Sequence, residues 1–182
     1  MKKIIYVLTV CILLSLILVG CKSNSSHKEE MVKIDATIES YFKNYYSIDD
    51  YKILDNNDES YKKEIDLVES IKEYTTEEFY DKLKLKGGSG TVVDTAKGKK
   101  RNIKVENIEY EIKKPEDIKE LKDEITLQYT ADFKFYDGDK EDVLKKEGQI
   151  RLKKVNGEWK VDYEPGYIPH YMFEKIKWVL WY

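Results

Sequence analysis

Two serines in this chain stand three positions before a lysine, a spacing that places a nucleophile one helical turn from a base. Ser40-Tyr-Phe-Lys43 and Ser60-Tyr-Lys-Lys63 both match the Ser-x-x-Lys pattern of penicillin-recognising enzymes. Those enzymes also carry a second motif, Ser-x-Asn or Lys-Thr-Gly, and the 182-residue sequence contains neither. Because lysine is abundant here, such matches are expected by chance. We predict that neither serine is catalytic.

His170 is the next candidate, because a histidine beside a carboxylate such as Asp162 or Glu164 can transfer protons. A lone histidine next to Pro169, with no nucleophile to activate, is more typical of the surface or of the edge of a core. We therefore predict no catalytic set, and an enzyme or small-molecule binder that uses an interior pocket stays open as an alternative.

Metal and phosphate chemistry have little support in the residue spacing. The acidic stretches at Asp49-Asp50 and 55–59 lack the spacing of a calcium-binding EF-hand loop, and no His or Cys pattern suggests a transition-metal site. The glycine-rich run 87–90 is expected to precede a short strand over Thr91–Thr95, where it could not hold phosphate at a helix N-terminus. No metal or cofactor is expected.

Cys21 is the residue with the most specific chemistry. It follows Lys2-Lys3 and the apolar run Ile4–Val19, which is the layout of a secretory signal. The ending Leu-Val-Gly-Cys resembles the lipobox of bacterial lipoproteins, in which the cysteine is acylated and becomes the N-terminus. Two acyl chains of the palmitate type would give stable anchoring. The alternative is an uncleaved membrane anchor in which the cysteine is incidental.

These features divide the chain into a signal peptide (1–20), a polar tether (21–28) and one domain (29–182). The expected location is the extracellular face of the cell membrane, with the lipid as the membrane contact. The net charge of −3 becomes more acidic when Lys2 and Lys3 are removed, which gives no electrostatic reason to bind nucleic acid. With only Cys21 remaining, no internal disulfide is possible, so the fold must depend on its core.

Helical periodicity dominates the first half of the domain. A helix is expected over 29–47, with its apolar stripe formed by Ile34, Ile38, Tyr41, Phe42 and Tyr45. A second helix is expected over 59–74, with one face formed by Tyr61, Ile65, Val68 and Ile71. Thr75 and Glu78 form a capping box for a short third helix that contains Phe79, Tyr80 and Leu83 and ends at the glycine run.

The second half has a period of two, which is typical of strands. Over 102–113 the apolar residues change parity, which predicts a β-bulge near Glu106-Asn107. Residues 124–136 alternate without interruption, with one face formed by Ile125, Leu127, Tyr129, Ala131, Phe133 and Phe135. A turn is expected at Asp137-Gly138.

The last predicted element is a hairpin. Residues 148–155 pair with 158–163 across Asn156-Gly157, a type I′ turn sequence, and Trp159, Val161 and Tyr163 are expected on one face. Helices followed by an antiparallel meander indicate an α+β fold, with the helices packed on one face of a curved sheet. The aromatic tail after Pro165 is expected either to pack across the open end of the sheet or to form an interfacial or partner-binding helix.

The stretch Asn156 to Pro169, NGEWKVDYEPGYIP, resembles the end of the nuclear transport factor 2-like N-terminal domain of methicillin-resistance-type penicillin-binding transpeptidases. The matching residues, which would be structural, are Trp159, Lys160, Val161, Asp162, Tyr163, Ile168 and Pro169. The resemblance implies a cone-shaped nuclear transport factor 2-like (cystatin-like) domain. This sequence is expected to depart from the pattern in two respects: we expect no transpeptidase domain after this one, and the expected anchor is a lipid.

In that family the domain is non-catalytic and holds the transpeptidase away from the membrane. The resemblance therefore implies a lipid-anchored interaction or spacer module with a cell-envelope protein as partner, linked to cell-wall synthesis or antibiotic response. The alternatives are a small-molecule-binding or enzymatic cone domain, and a subunit of a secretion or conjugation complex.

Overall fold

The structure, a computed structural model, describes residues 28–85, 87, 90–112 and 123–165. The predictions for the signal peptide, Cys21, Ile168, Pro169, His170 and the aromatic tail lie outside these residues. Within the described ranges, no helix combines the length and the apolar composition needed to cross a bilayer.

Helix α1 covers residues 28–45 and packs its apolar stripe against the sheet. Its buried residues are the ones that the sequence predicts: Ile34, Ile38, Tyr41, Phe42 and Tyr45. They recur at intervals of three and four positions and therefore lie on one face of the helix. Tyr46 and Ile48 follow the helix and are also fully buried, so the aromatic core continues past its end.

Helix α2 covers Asn57–Ser70 and is capped by the Asn56 side chain, which accepts a hydrogen bond from the backbone N–H of Asp58. The predicted apolar face is correct for Val68 and Ile71, which are buried, and wrong for Tyr61 and Ile65. Tyr61 is 66% exposed and Ile65 is 42% exposed, and both line a groove of about 360 Å³ between α2 and α3. The residues of α2 that are buried are Ser60, Leu67 and Val68.

The segment after α2 has a different capping arrangement from the one predicted. A short 3₁₀ turn, Lys72–Tyr74, leads to helix α3, Glu77–Leu85. Thr76 rather than Thr75 caps this helix, because its Oγ1 accepts a hydrogen bond from the Phe79 N–H at 3.3 Å. Thr75 Oγ1 donates instead to the Ile71 carbonyl at 3.0 Å and so closes the preceding turn. Phe79, Tyr80 and Leu83 are buried, as predicted.

The strand expected over Thr91–Thr95 is wrong, because these residues lie in helix α4, Gly90–Lys99. Its buried residues, Val92, Val93, Thr95 and Ala96, share one side of the helix. The glycine-rich run therefore precedes a helix. The prediction that no phosphate could bind there assumed a following strand, and that assumption is wrong. Burial against the core outweighs the preference of β-branched residues for strands.

Four antiparallel strands form one open sheet in the order β1-β2-β3-β4. Their bounds are β1 Asn102–Ile112, β2 Glu124–Asp137, β3 Lys140–Val155 and β4 Glu158–Tyr163. This arrangement confirms the α+β class. Strand β3 begins eight residues earlier than predicted and pairs with β2 over residues 140–153, whereas β4 pairs only with residues 151–155 of β3.

The turns and the first bulge follow the sequence signals. Asn107 adopts φ +48° where the pairing of β1 with β2 shifts register, which confirms the predicted bulge. Gly138, in the β2–β3 turn, has φ +60°, and Asn156 and Gly157 have φ +52° and +85°. Two successive positive φ values are what a type I′ turn requires.

A second bulge lies in β4 and was not predicted. Arg151 pairs with Tyr163 while Leu152 pairs with Val161, so Asp162 is an extra residue on β4. The bulge reverses the parity of the residues that follow it. Trp159 and Val161 are buried as predicted, but Tyr163 is 49% exposed, and the next residue, Glu164, points into the core.

Candidate functional site

The core between α1 and the sheet contains a buried carboxylate bound by four donors. Glu164 Oε1 accepts hydrogen bonds from Lys146 Nζ at 2.6 Å and Tyr129 Oη at 2.5 Å. Glu164 Oε2 accepts from Tyr46 Oη at 2.8 Å and Tyr41 Oη at 3.2 Å. The exposed fraction of each of the five residues is 2% or less. We call these five residues the Glu164 cluster.

Register explains how the sheet holds two of these donors. Lys146 lies opposite Ala131 on the core face of the sheet, where the small alanine leaves space for the lysine stem. Tyr129 lies opposite Gly148, and a Cβ atom at Gly148 would come within 2.8 Å of the Tyr129 hydroxyl. Gly148 is therefore needed for the tyrosine to lean across β3 toward Glu164.

Aromatic rings surround the charged pair. Lys146 Nζ lies 4.9 Å from the centre of the Tyr46 ring and 5.9 Å from that of Phe133, and it donates to Tyr46 Oη at 2.9 Å. Tyr46 stands edge-on to Phe133 at 4.9 Å, and Tyr129 stands edge-on to Phe42 at 4.8 Å. These contacts fix the donors, because rotation of any ring would disrupt close packing on both sides.

The electrostatics keep the tyrosines as donors. Burial, together with the negative charge of Glu164, raises the pKa of Tyr41 and of Tyr46 well above the usual value for tyrosine. Burial lowers the pKa of Lys146, and the neighbouring Glu164 opposes that effect. The tyrosines therefore stay neutral, and their hydroxyl groups donate hydrogen bonds to the Glu164 carboxylate.

Tyr45 adds a further hydroxyl to this region. It is fully buried, and its ring stacks on Tyr41 with centroids 5.5 Å apart. Within the described residues its Oη has no hydrogen-bond partner. Burial and the charge of Glu164 raise its pKa. A buried hydroxyl without a partner is uncommon in proteins. The Tyr45 hydroxyl is therefore a hydrogen-bond donor in the interior that no described acceptor uses.

A second charged cluster links the β3–β4 hairpin to α3. Asp162 accepts hydrogen bonds from Arg151 Nε at 2.8 Å and from Thr76 Oγ1 at 3.1 Å, and Lys153 Nζ lies 3.0 Å away. Burial opposes ionisation of Asp162, but the hydrogen bonds from these partners outweigh it and lower its pKa. Thr76 also caps α3, so the bulge residue joins the sheet to the start of a helix.

A third cluster connects α1 to the hairpin. Glu30 Oε2 accepts hydrogen bonds from Trp159 Nε1 at 2.8 Å and Lys154 Nζ at 2.7 Å. The hydrogen bond from Lys154 is the main cause of a pKa for Glu30 of about 2, below the usual 4.5, and burial opposes it. Thr37 Oγ1 also donates to the Trp159 carbonyl at 3.1 Å.

This arrangement predicts a pH-dependent stability. Because the pKa of Glu30 is lower in the folded state, its contribution is fully present above about pH 4.5 and is lost as the pH falls toward 2. Glu30→Gln should therefore destabilise the protein at pH 7, and the difference from wild type should narrow progressively between pH 5 and pH 2.5.

The measurement is the free energy of unfolding by denaturant at a series of pH values. Glu29→Gln, a change at the exposed neighbouring residue, serves as the control and should have little effect at any pH. A constant difference between wild type and Glu30→Gln across this range would contradict the prediction.

The residues of the family resemblance that lie in the described part have structural contacts. Trp159 and Val161 are core residues, and Asp162 joins β4 to α3. Lys160 Nζ contacts the Glu73 carbonyl at 2.5 Å. Tyr163 is half exposed, and its ring centre lies 6.4 Å from that of Phe79.

The serine candidates are not brought together. Ser60 is buried and donates to the Leu54 carbonyl at 2.9 Å, which joins α2 to the preceding turn. Ser40 lies on α1, and Lys43 forms an exposed ion pair with Glu39. The acidic stretches supply helix caps: Asp50 accepts from the Lys52 N–H and Asn56 caps α2. Among the described residues, no three His, Cys, Asp or Glu side chains converge as a metal site.

Sequence reasoning missed Lys146 and considered Glu164 only as a partner of His170. A signal for Lys146 was present, because it has the parity of Ile150 and Leu152 and so belongs to the inward face of a longer β3. Nothing in the sequence marks the Asp162 bulge that turns Glu164 inward. No known family model matches this chain, and no curated protein matches it either.

Proposed function

We propose that this chain is a lipid-anchored, non-catalytic module of the cell envelope that serves as an interaction or spacer domain. The fold we assign to it is the nuclear transport factor 2-like cone, with a cell-envelope protein as partner and a link to cell-wall synthesis or antibiotic response. The proposal rests on the family resemblance at 156–169 and on the state of the core.

The observation that carries the proposal is that the core face of the sheet is filled by the protein's own side chains. Tyr41, Phe42, Tyr46, Phe133 and Phe135 are all fully buried there. Among the described residues, the charges of Lys146 and Glu164 in this space face each other as an ion pair. An enzyme with a cone interior needs an open pocket lined by polar groups, whereas a spacer or interaction module needs a filled, stable core and an accessible outer surface.

The architecture supports the finer assignment of fold. Helices precede an antiparallel meander, and the hairpin residues Trp159 and Asp162 connect that meander to α1 and α3. The helical half and the sheet half of the domain are thus joined by side-chain hydrogen bonds. Such a domain suits the role of a spacer, because these contacts resist separation of the two halves.

The anchoring part of the proposal predicts that Cys21 carries lipid. Wild-type protein grown with an alkyne-bearing palmitate analogue should be labelled and should lack residues 1–20, whereas Cys21→Ser should be unlabelled and keep them. In-gel fluorescence and intact mass provide the measurement. Wild-type protein that keeps its first 20 residues or carries no lipid would contradict the anchoring but not the fold.

The non-catalytic part predicts the absence of covalent labelling at Ser40 and Ser60. The full chain should not react with a fluorescent penicillin or with a general serine-reactive phosphonate, because Ser60 is held by the Leu54 carbonyl and Ser40 has no base beside it among the described contacts. A known penicillin-binding protein serves as the positive control. Stoichiometric labelling that is lost in Ser40→Ala or Ser60→Ala would overturn this part.

A further inference from the structure

The Glu164 cluster has the composition of a binding site for a carboxylate. Its donors come from three separate elements: Tyr41 and Tyr46 from α1 and the residue after it, Tyr129 from β2, and Lys146 from β3. All four point to the same two oxygen atoms. Convergence of donors from distant parts of a chain on one small anion is how proteins recognise ligands.

The donors are fixed independently of the group they hold. Tyr41 packs against Phe42 and Tyr45, Tyr46 packs against Phe133, and Lys146 lies on the face of the Tyr46 ring. The sheet positions of Tyr129 and Lys146 are set by the β2–β3 ladder, opposite Gly148 and Ala131. Removal of the carboxylate would therefore leave the four donors close to their present positions.

The acceptor is held differently. Glu164 follows the end of β4 and lies outside the sheet ladder, and the Asp162 bulge directs its side chain inward. Glu164 therefore lies among the four donors in the way that a ligand attached to the end of a strand would. Tyr45 Oη, buried and without a partner in the described residues, provides a further donor in the same aromatic layer.

The pattern of donors selects the chemical class of the ligand. Among the described residues, each oxygen of the carboxylate accepts two hydrogen bonds, and Lys146 supplies the cation that faces it. A planar group with two oxygens and one charge satisfies this arrangement. A chloride ion offers only one acceptor atom, and a phosphate would bring further oxygens into apolar surroundings formed by Phe42 and Phe133.

We propose that Tyr41, Tyr46, Tyr129 and Lys146 form a carboxylate-binding site in the interior of the domain, that Glu164 is its built-in ligand, and that a small aliphatic carboxylate takes its place when the Glu164 side chain is removed. This goes beyond the proposed spacer function, because it assigns the closed interior a ligand class. It is independent of the lipid anchor and of any partner on the outer surface.

The test supplies the missing carboxylate from solution. Glu164→Ala removes the built-in ligand, and thermal unfolding of the full chain is followed at pH 7 in sodium acetate and in sodium chloride of equal ionic strength. Acetate should raise the midpoint of Glu164→Ala in a saturable way, by roughly 3–6 °C at ten times its dissociation constant, whereas chloride should not. Wild type, whose site is filled, should respond equally to the two salts.

Two further variants decide where the acetate acts. In Glu164→Ala combined with Lys146→Met, the acetate-specific rise should disappear, because the balancing cation is gone. In Glu164→Ala combined with Lys145→Met, a change at an exposed neighbouring lysine, the rise should persist. Equal responses to acetate and chloride in Glu164→Ala, or an acetate effect that survives Lys146→Met, would overturn the proposal.

If Glu164→Ala does not fold in chloride, the same comparison is made by refolding from denaturant and recording near-ultraviolet circular dichroism. Recovery of the aromatic signal in acetate but not in chloride supports the proposal. Failure to recover in either salt overturns it, because donors that are fixed by their own packing must accept a carboxylate supplied from solution.

Discussion

Lys146→Met is expected to lower the free energy of unfolding by about 3–5 kcal/mol, because it leaves the Glu164 carboxylate buried without its cation. Methionine matches the lysine stem in length, so the packing against Ala131 and Tyr46 is largely kept and the loss is mainly electrostatic. Denaturant unfolding at pH 7 measures the change. Lys145→Met, at the adjacent exposed position, is the matched control and should stay within about 0.5 kcal/mol of wild type.

A double-mutant cycle separates the ion pair from simple loss of packing. Lys146→Met with Glu164→Leu should be more stable than the sum of the two single changes by at least about 1 kcal/mol, because neither charge is then buried alone. Full recovery is not expected, since the hydroxyls of Tyr41, Tyr46 and Tyr129 lose their acceptor. Additivity within about 0.5 kcal/mol would show that the two side chains do not act as a pair.

Trp159→Ala should have an effect of similar size, about 3–5 kcal/mol, through the cavity left by a large aromatic side chain. Trp159 is 2% exposed, and it joins α1 to the hairpin through Glu30 and Thr37. Chemical denaturation provides the measurement, and the slope against denaturant should be unchanged if the rest of the fold is intact.

Trp159→Phe is the control for this change. It keeps a buried aromatic ring but removes the Nε1–H that donates to Glu30, so the expected loss is about 1.5–3 kcal/mol, the usual range for a hydrogen bond to a charged group. A loss below about 1 kcal/mol for Trp159→Ala would mean that this face of β4 is not in the core.

The elements that could be predicted from the sequence are those in which burial and local periodicity agree. In α1 the apolar residues from Ile34 to Tyr45 follow the helical repeat, and in β2 those from Ile125 to Phe135 alternate along the whole strand. The type I′ turn at Asn156-Gly157 also follows directly from the two residues, because few others accept two positive φ values.

The predictions that were wrong have a different cause. At those positions two local patterns fit the sequence equally well, and only tertiary packing decides which one forms. In α2, Val68 can share a helix face with Tyr61 and Ile65 or with Ser60 and Leu67. Both sets follow the helical repeat, and only contact with the rest of the core selects the second. In α4, β-branched residues favour a strand locally, but Val92 and Ala96 lie one turn apart and bury together.

The Glu164 cluster was hidden for a further reason. Interpretation by alternation assigns charged residues to the outer face, so it does not place Lys146 in the core, although Lys146 is 2% exposed. Glu164 depends on the Asp162 bulge, which shifts the pairing by one residue between Arg151 and Leu152. Such a shift is produced by contacts across strands and leaves no pattern within β4 itself.

Strand β3 is much longer than β4, and this has a consequence for behaviour at high local concentration. Among the described strands, β4 pairs only with Arg151–Val155, so the first part of β3 has β2 on one side and no ladder partner on the other. An exposed strand edge of this length would otherwise invite intermolecular sheet extension. Its sequence, Lys140-Glu-Asp-Val-Leu-Lys-Lys-Glu147, is dense in charge of both signs. Neutralising the exposed charges of this stretch, which do not include the buried Lys146, should thus promote self-association at high protein concentration before it affects folding.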